Sequence, residues 1–213
     1  MKPHHKDSSL TIHKIICGPY DNNAYILCCP NSNEGILIDT PAEPDVLIAL
    51  ASTIDIKAIL ITHNHMDHLM GFAQVTEIIK APVGMGEQDS KYLDFIPNFY
   101  TNNGYEITVG DLVLKSIFTP GHTDGSTCFT VGKHLFTGDT LFPGGPGKTQ
   151  SSENLDQIIK SIENELLTLP SDTIFYPGHG DDGNLSDSLE DFKIYKSKKH
   201  DLSKFGDIQW LND

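Results

Sequence analysis

The chain contains no arginine. Its 15 basic residues are all lysine and face 29 Asp+Glu, a formal net charge of −14. Without a guanidinium there is no bidentate clamp for a carboxylate or phosphate. Anion recognition therefore falls to lysine, backbone N–H groups or a metal ion. A balance of that sign repels phosphate backbones and excludes general nucleic-acid binding. Cysteine is sparse. Cys17, Cys28, Cys29 and Cys128 form no CxxC pair, which reads as free thiols in a reducing cytoplasm rather than a disulfide framework. Long apolar runs are missing too. Runs as long as Ala24–Cys29 are strand-sized, far below the ~18 residues of a spanning helix, so no membrane partner is expected. The N-terminal MKPHHKDSSL lacks the apolar stretch of a signal peptide. No linker or low-complexity segment interrupts the 213 residues, a length that suits one domain.

What is present points to a mixed fold. β-like runs occupy Leu10–Cys17, Ala24–Cys29, Gly35–Asp39 and Ala58–Thr62, with helix-like segments at Glu43–Thr53 and Leu69–Lys80. A second half repeats that order without repeating the residues. Its β-like runs are Glu106–Val109, Leu112–Phe118, Thr127–Val131 and His134–Phe136. They are followed by a helix over Asn154–Leu169, a strand at Thr173–Tyr176 and a helix around Leu185–Lys198. Leu155, Ile158, Ile159, Ile162, Leu166 and Leu167 fall on one helical stripe. Two sets of strands, each followed by helices, predict a mixed sheet architecture.

Histidine is abundant, at ten residues, and its placement carries the chemistry. Residues 62–68 read T-H-N-H-M-D-H directly after the buried-strand pattern Ala58–Ile61. In an extended chain alternate side chains share a side, so His63, His65 and Asp67 are expected to converge. His68 joins them if the chain turns into the following helix. Imidazole nitrogen and carboxylate oxygen are ligands for zinc, iron and similar ions. His122 in T-P-G-H-T, Asp139 in T-G-D-T and His179 in P-G-H-G each follow a predicted strand. Loops at strand ends are where rigid scaffolds hold functional groups. Together these residues fill two metal spheres.

HxHxDH, PGHT, GDTLF and PGHG, in this order, resemble the metallo-β-lactamase-fold hydrolases, from about Asn23 to His179. The resemblance implies a four-layer αββα sandwich with a dinuclear site on one edge. It implies His63, His65 and His122 on a first ion, Asp67, His68 and His179 on a second, and Asp139 bridging them. Zinc is the expected metal, with iron or manganese as alternatives. Aspartate rather than cysteine at 139 separates the chain from the largest class of true β-lactamases. The glyoxalase II-like branch matches best, because F-T-G-D-T-L-F-x-G-G-x-G-K resembles its loop. There Lys148 takes the place of a lysine that helps bind the glutathione part of a thioester. The short stretch after His179 leads to the expectation of one domain over 1–213, without a separate C-terminal glutathione-binding helical domain.

Two adjacent divalent ions bring a shared water toward neutrality as a nucleophile. The expected reaction is therefore hydrolysis of a small S-acylglutathione-like thioester or an ester. Asp67 would orient the nucleophile, Asp139 would set the spacing, and metal and activity would fall together below about pH 6. A mononuclear iron persulfide dioxygenase, a lactonase and a non-catalytic binding module remain as alternatives. Pro143–Gly147 reads either as an ordinary turn or as a loop at the metal mouth. Lys148 reads either as a solvated side chain or as a contact for an anionic tail. His4, His5, His13, His134 and His200 stay outside the site. Lys193–Lys199 reads as a solvated helix face, and Trp210 as packing the tail onto the body. Oligomeric state leaves no signature.

Overall fold

The apolar runs of the first half pair into one sheet. The structure, a computed structural model, describes residues 2–201 and 203–212. Seven strands lie side by side in chain order: β1 (His5–Lys6), β2 (Thr11–Cys17), β3 (Asn22–Cys28), β4 (Glu34–Ile38), β5 (Asp55–Ile61), β6 (Val83–Met85) and β7 (Phe99–Tyr100). β1 to β4 pair antiparallel, and β4 to β7 pair parallel. The second half supplies β8 (Glu106–Val109), β9 (Leu112–Phe118), β10 (Thr127–Val131), β11 (His134–Gly138), the small hairpin β12 (Leu141–Phe142) and β13 (Gly145–Pro146), then β14 (Ile174–Pro177) and β15 (Gly183–Asn184). Without the hairpin these form a second sheet in the order β15–β14–β11–β10–β9–β8, in which β11 and β14 run parallel.

Strand alternation sorts the side chains into layers. Ile36, Ile38 and Leu60 face inward and meet Leu114, Phe129 and Phe136 of the second sheet. Leu37, Ile59 and Ile61 face outward and pack on α1 (Asp45–Ala51) and α2 (Phe72–Ile78). On the far side Cys128, Leu135 and Phe175 pack beneath helices that follow the short α3 (Glu87–Ser90). These are α4 (Ser152–Ser161), continued by a π-helical turn at Ile162–Leu166, and α5 (Leu185–Ser197). The result is the expected αββα sandwich. Trp210 is buried against Phe192 and Tyr195 of α5.

The helices differ in extent from the apolar pattern. The segment read as Glu43–Thr53 is helical only over Asp45–Ala51. Glu43 sits at φ 53° before Pro44, and the Ser52 and Thr53 hydroxyls donate back to the carbonyls of Ile48 and Leu50. The segment read from Leu69 starts at Phe72, because residues 66–68 are spent on a separate 3-10 turn. The helix read from Asn154 begins at Ser152. There the Ser151 hydroxyl accepts the Asn154 N–H at 3.2 Å, a normal N-cap. β1, β7, β12, β13 and β15 span two residues each, too few for any periodicity to register.

Candidate metal centre

The strand ends carry the site. After β5 the chain stays extended through His65 (φ −65°, ψ 139°) and then closes a 3-10 turn over Met66–His68. Hydrogen bonds from His68 N–H to His65 O (3.1 Å) and from Leu69 N–H to Met66 O (2.9 Å) close the turn. This departs from the simple alternation expected at sequence level. His63 and His65 do share a side, but the turn carries Asp67 away from them. The structure instead brings together ligand atoms of His63, His65 and His122, and separately those of Asp67, His68 and His179, each set within 4.8 Å. Asp139, following β11, lies between the sets. Its Oδ1 is 3.4 Å from His68 Nε2, and its Oδ2 is 3.6 Å from both His122 Nε2 and His179 Nε2.

The geometry leaves no room for a side chain at Gly178. A Cβ there would stand 2.2 Å from Asp139 Oδ1 and 2.5 Å from His68 Cε1. The glycine of P-G-H-G thus lets the loop after β14 press onto the cluster and deliver His179.

Each outward nitrogen of four imidazoles is engaged. His68 Nδ1 donates to Asp39 Oδ2 (2.8 Å), His122 Nδ1 to the Lys148 carbonyl (2.7 Å) and His179 Nδ1 to the Tyr20 carbonyl (3.0 Å). His63 Nδ1 meets Thr62 Oγ1 at 3.0 Å, and that hydroxyl donates to Asp39 Oδ2. Because a carbonyl or carboxylate oxygen accepts, a proton sits on Nδ1 and Nε2 is the atom that faces inward, with a lone pair to offer a metal in the neutral ring. The inward atoms are orphans. His63 Nε2, His68 Nε2, His122 Nε2 and Asp139 Oδ1 are buried with no hydrogen-bond partner. Unpaired buried polar atoms are costly and rare, and four converging on one space fit a metal-binding cavity.

Charge is distributed unevenly. Burial and the neighbouring imidazoles push His63 well below the usual imidazole range, and burial also lowers His122. Burial opposes protonation of His68 as well, but the Asp39 and Asp139 carboxylates more than reverse it. His179 is likewise raised against its burial, chiefly by the Asp67 carboxylate. Asp67 and Asp139 stay ionised despite burial. His179 and Asn22 hold Asp67, and His68 holds Asp139.

Three supporting side chains escaped the sequence reading. Asp39 also accepts the Thr62 N–H, at 2.8 Å. Asn22 donates to Asp67 Oδ2 at 2.8 Å. Asp89, fully buried, accepts from Asn64 N–H (2.9 Å), Thr123 Oγ1 (2.7 Å) and Gly125 N–H (2.6 Å), so it ties the His63–His65 loop to the His122 loop. Asp39 carried a usable signal: like Asp139 it is a carboxylate at the end of an apolar strand.

Beside the cluster lies a cavity of about 410 Å³. The Pro143–Gly147 stretch holds the turn and second strand of the β12–β13 hairpin, and the hairpin forms one wall through Phe142, Gly145 and Pro146. The exposed Lys148 and the tail residues Asp207, Ile208 and Gln209 complete the lining. The hairpin therefore sits at the mouth of the cluster. Lys148 also supports the site through its backbone. His5 and His134, outside the cluster, meet Asp7 elsewhere on the molecule.

A family model described as the metallo-beta-lactamase superfamily matches residues 17–179. The probable hydroxyacylglutathione hydrolase glo2 of Schizosaccharomyces pombe is 32% identical over 76% of this chain and 65% of its own length, so the chain spans less than two thirds of that relative. The hydroxyacylglutathione hydrolase of Francisella philomiragia is 32% identical, covering 85% of this chain and 75% of that protein. Among solved structures, ETHE1 from Myxococcus xanthus superposes with a TM-score of 0.74 at 26% identity, covering 83% of this chain and 80% of that one. No helix among the described residues is long and apolar enough to cross a membrane.

Proposed function

We propose that this chain, which belongs to the metallo-beta-lactamase superfamily, is a dinuclear metal-dependent hydrolase of small thioesters of the S-acylglutathione type. The observation that carries this reading is the position of Asp139. Its two carboxylate oxygens face His68 on one side and His122 and His179 on the other. In this reading His63, His65 and His122 hold one ion, Asp67, His68 and His179 hold the other, and Asp139 is shared. The donor set is imidazole and carboxylate without thiolate, which suits zinc and also admits iron or manganese. When bound, such an ion pair polarises a carbonyl and makes water available as a nucleophile near neutral pH.

The protein's own residues do the positioning. Asp39, Thr62, Tyr20 and Lys148 supply the outer acceptors that aim the imidazoles. Asn22 occupies one side of Asp67 and so limits the directions in which that carboxylate can accept a proton. Phe142 and Pro146 offer an apolar wall for an acyl group. Lys148 offers the cavity's ammonium to an anionic thiol carrier. With no arginine in the chain, that contact has one point charge and no fork geometry.

The similarity to glyoxalase II-type relatives supports the thioester reading. The histidine–aspartate donor set also admits a second reading, a mononuclear iron-dependent oxidation of a persulfide. Purified protein should cleave S-lactoylglutathione and carry about two ions per chain. One iron per chain, with oxygen uptake on glutathione persulfide, would replace the first reading with the second. The single-domain organisation and cytoplasmic residence expected from the sequence are part of the same proposal.

A further inference from the structure

Strand β11 has the proposed catalytic centre beyond one end, at Asp139. Its other end, His134, meets a different group. Ring nitrogens of His5 and His134 and a carboxylate oxygen of Asp7 lie within 4.8 Å of one another. His134 is only 9% exposed. Its Nδ1 is bonded to the Tyr176 hydroxyl at 2.8 Å, which leaves Nε2 without a hydrogen-bond partner among the described residues. Asp7 is divided in the same way. Its Oδ1 accepts from Ser9 N–H (2.7 Å), Ser9 Oγ (2.8 Å) and Leu10 N–H (2.9 Å), and its Oδ2 is left to His5 Nε2 at 3.2 Å. The two imidazole rings are 4.5 Å apart between centroids.

His134 and Asp7 therefore each have one end anchored and one ligand atom turned toward the group, and His5 reaches it through Nε2. Two imidazoles and a carboxylate form a three-ligand transition-metal site with room for water in a fourth position. The neighbouring His4 is not part of it, because its Nε2 is engaged by Asp182 at 2.5 Å. The fold supplies a reason for such a site. β1 has only two residues and, among the described residues, pairs only with β2, through His5↔Ile12 and Lys6↔Thr11, so little backbone secures it. His5 and Asp7 belong to that N-terminal end of the first sheet, whereas His134 belongs to the second sheet.

We propose that His5, Asp7 and His134 bind a third divalent transition-metal ion, of the zinc class, that clips the N-terminal strand to β11. This ion is structural and separate from the catalytic pair. With three protein ligands and partial exposure it binds more weakly than that pair and fills only when metal is supplied.

The test is metal counting on tag-free protein equilibrated with excess Zn²⁺ and then freed of unbound ion. Wild type and His4→Ala should each retain about three zinc ions per chain, and His5→Ala and His134→Gln about two. Filling the third site should raise the wild-type Tm by about 5 °C. His5→Ala, a change at a half-exposed side chain, should show no such rise and should keep its hydrolase activity. Wild type that retains no more zinc than His5→Ala overturns the proposal. So does persistence of the third ion in His5→Ala, or its loss in His4→Ala.

Discussion

Asp39 accepts the Nδ1–H of His68 at 2.8 Å, with both side chains almost completely removed from solvent. The same carboxylate takes the Thr62 N–H and hydroxyl, and Thr62 in turn meets His63. One buried acid thus aims a histidine of each proposed metal group. Asp39→Asn should lower metal affinity by about 10- to 100-fold, with a matching loss of turnover at limiting metal. Competition with a chelator measures this. Wild-type affinity in the variant would remove Asp39 from the account.

Asp89 plays the corresponding part between loops. Asp89→Ala leaves the Asn64 and Gly125 N–H groups without their acceptor, while the Thr123 hydroxyl keeps Ser126 Oγ at 2.7 Å. Each orphaned group costs about 1–3 kcal/mol. The variant should melt lower and lose the ion of the His63–His65–His122 set before the other. Thermal unfolding and metal content after partial chelation report the two effects separately. An unchanged Tm contradicts the assignment.

His13 offers a pH test away from the metal ligands. It is buried, and burial lowers its pKa from the usual 6.5. The unfolded chain therefore takes up a proton at this residue at a pH where the folded chain still resists it. The corresponding stability is fully present above pH 6.5 and is lost as pH falls below it. His13→Leu should lose stability less steeply than wild type between about pH 7 and pH 5. Urea denaturation at stepped pH compares the slopes, and parallel slopes would rule this out.

Lys148 has two contacts that mutation can separate. Its carbonyl receives His122 Nδ1, a bond that Lys148→Ala keeps. Its ammonium is the part offered to substrate, and Asp207 on the same cavity carries the opposite charge. Lys148→Ala should therefore retain its metal and raise KM for anionic thioesters about tenfold, with a smaller effect on neutral ones. Asp207→Lys should shift the preference the other way. Steady-state kinetics on a matched anionic and neutral pair decides it, and equal effects on both substrates would end the proposed role.

A mixed sheet architecture was legible because buried strands such as Ile36–Ile38 and Ile59–Ile61 carry unbroken apolar runs that need cover on both faces, whereas the four-layer αββα order came from the family resemblance. The metal-group residues were legible because they stand in short motifs just after strand ends. Their grouping was legible through the family resemblance and not through periodicity. The 3-10 turn at Met66–His68, which moves Asp67 to the other set, depends on local backbone bonding that no periodicity records. Asp89 was invisible for a different reason. It is an ordinary acidic residue in a short helix until the fold places the His65 and His122 loops around it. His5 and His134 are far apart in sequence and lie next to each other only because the two sheets stack.

The central claim is that Asp139 lies between two ions. Elemental analysis of wild type and Asp139→Ala, each purified without added metal, tests it most directly. The account predicts about two ions per chain in wild type and loss of both metal and thioester cleavage in the variant. An Asp139→Ala protein that kept both ions and its turnover would contradict it.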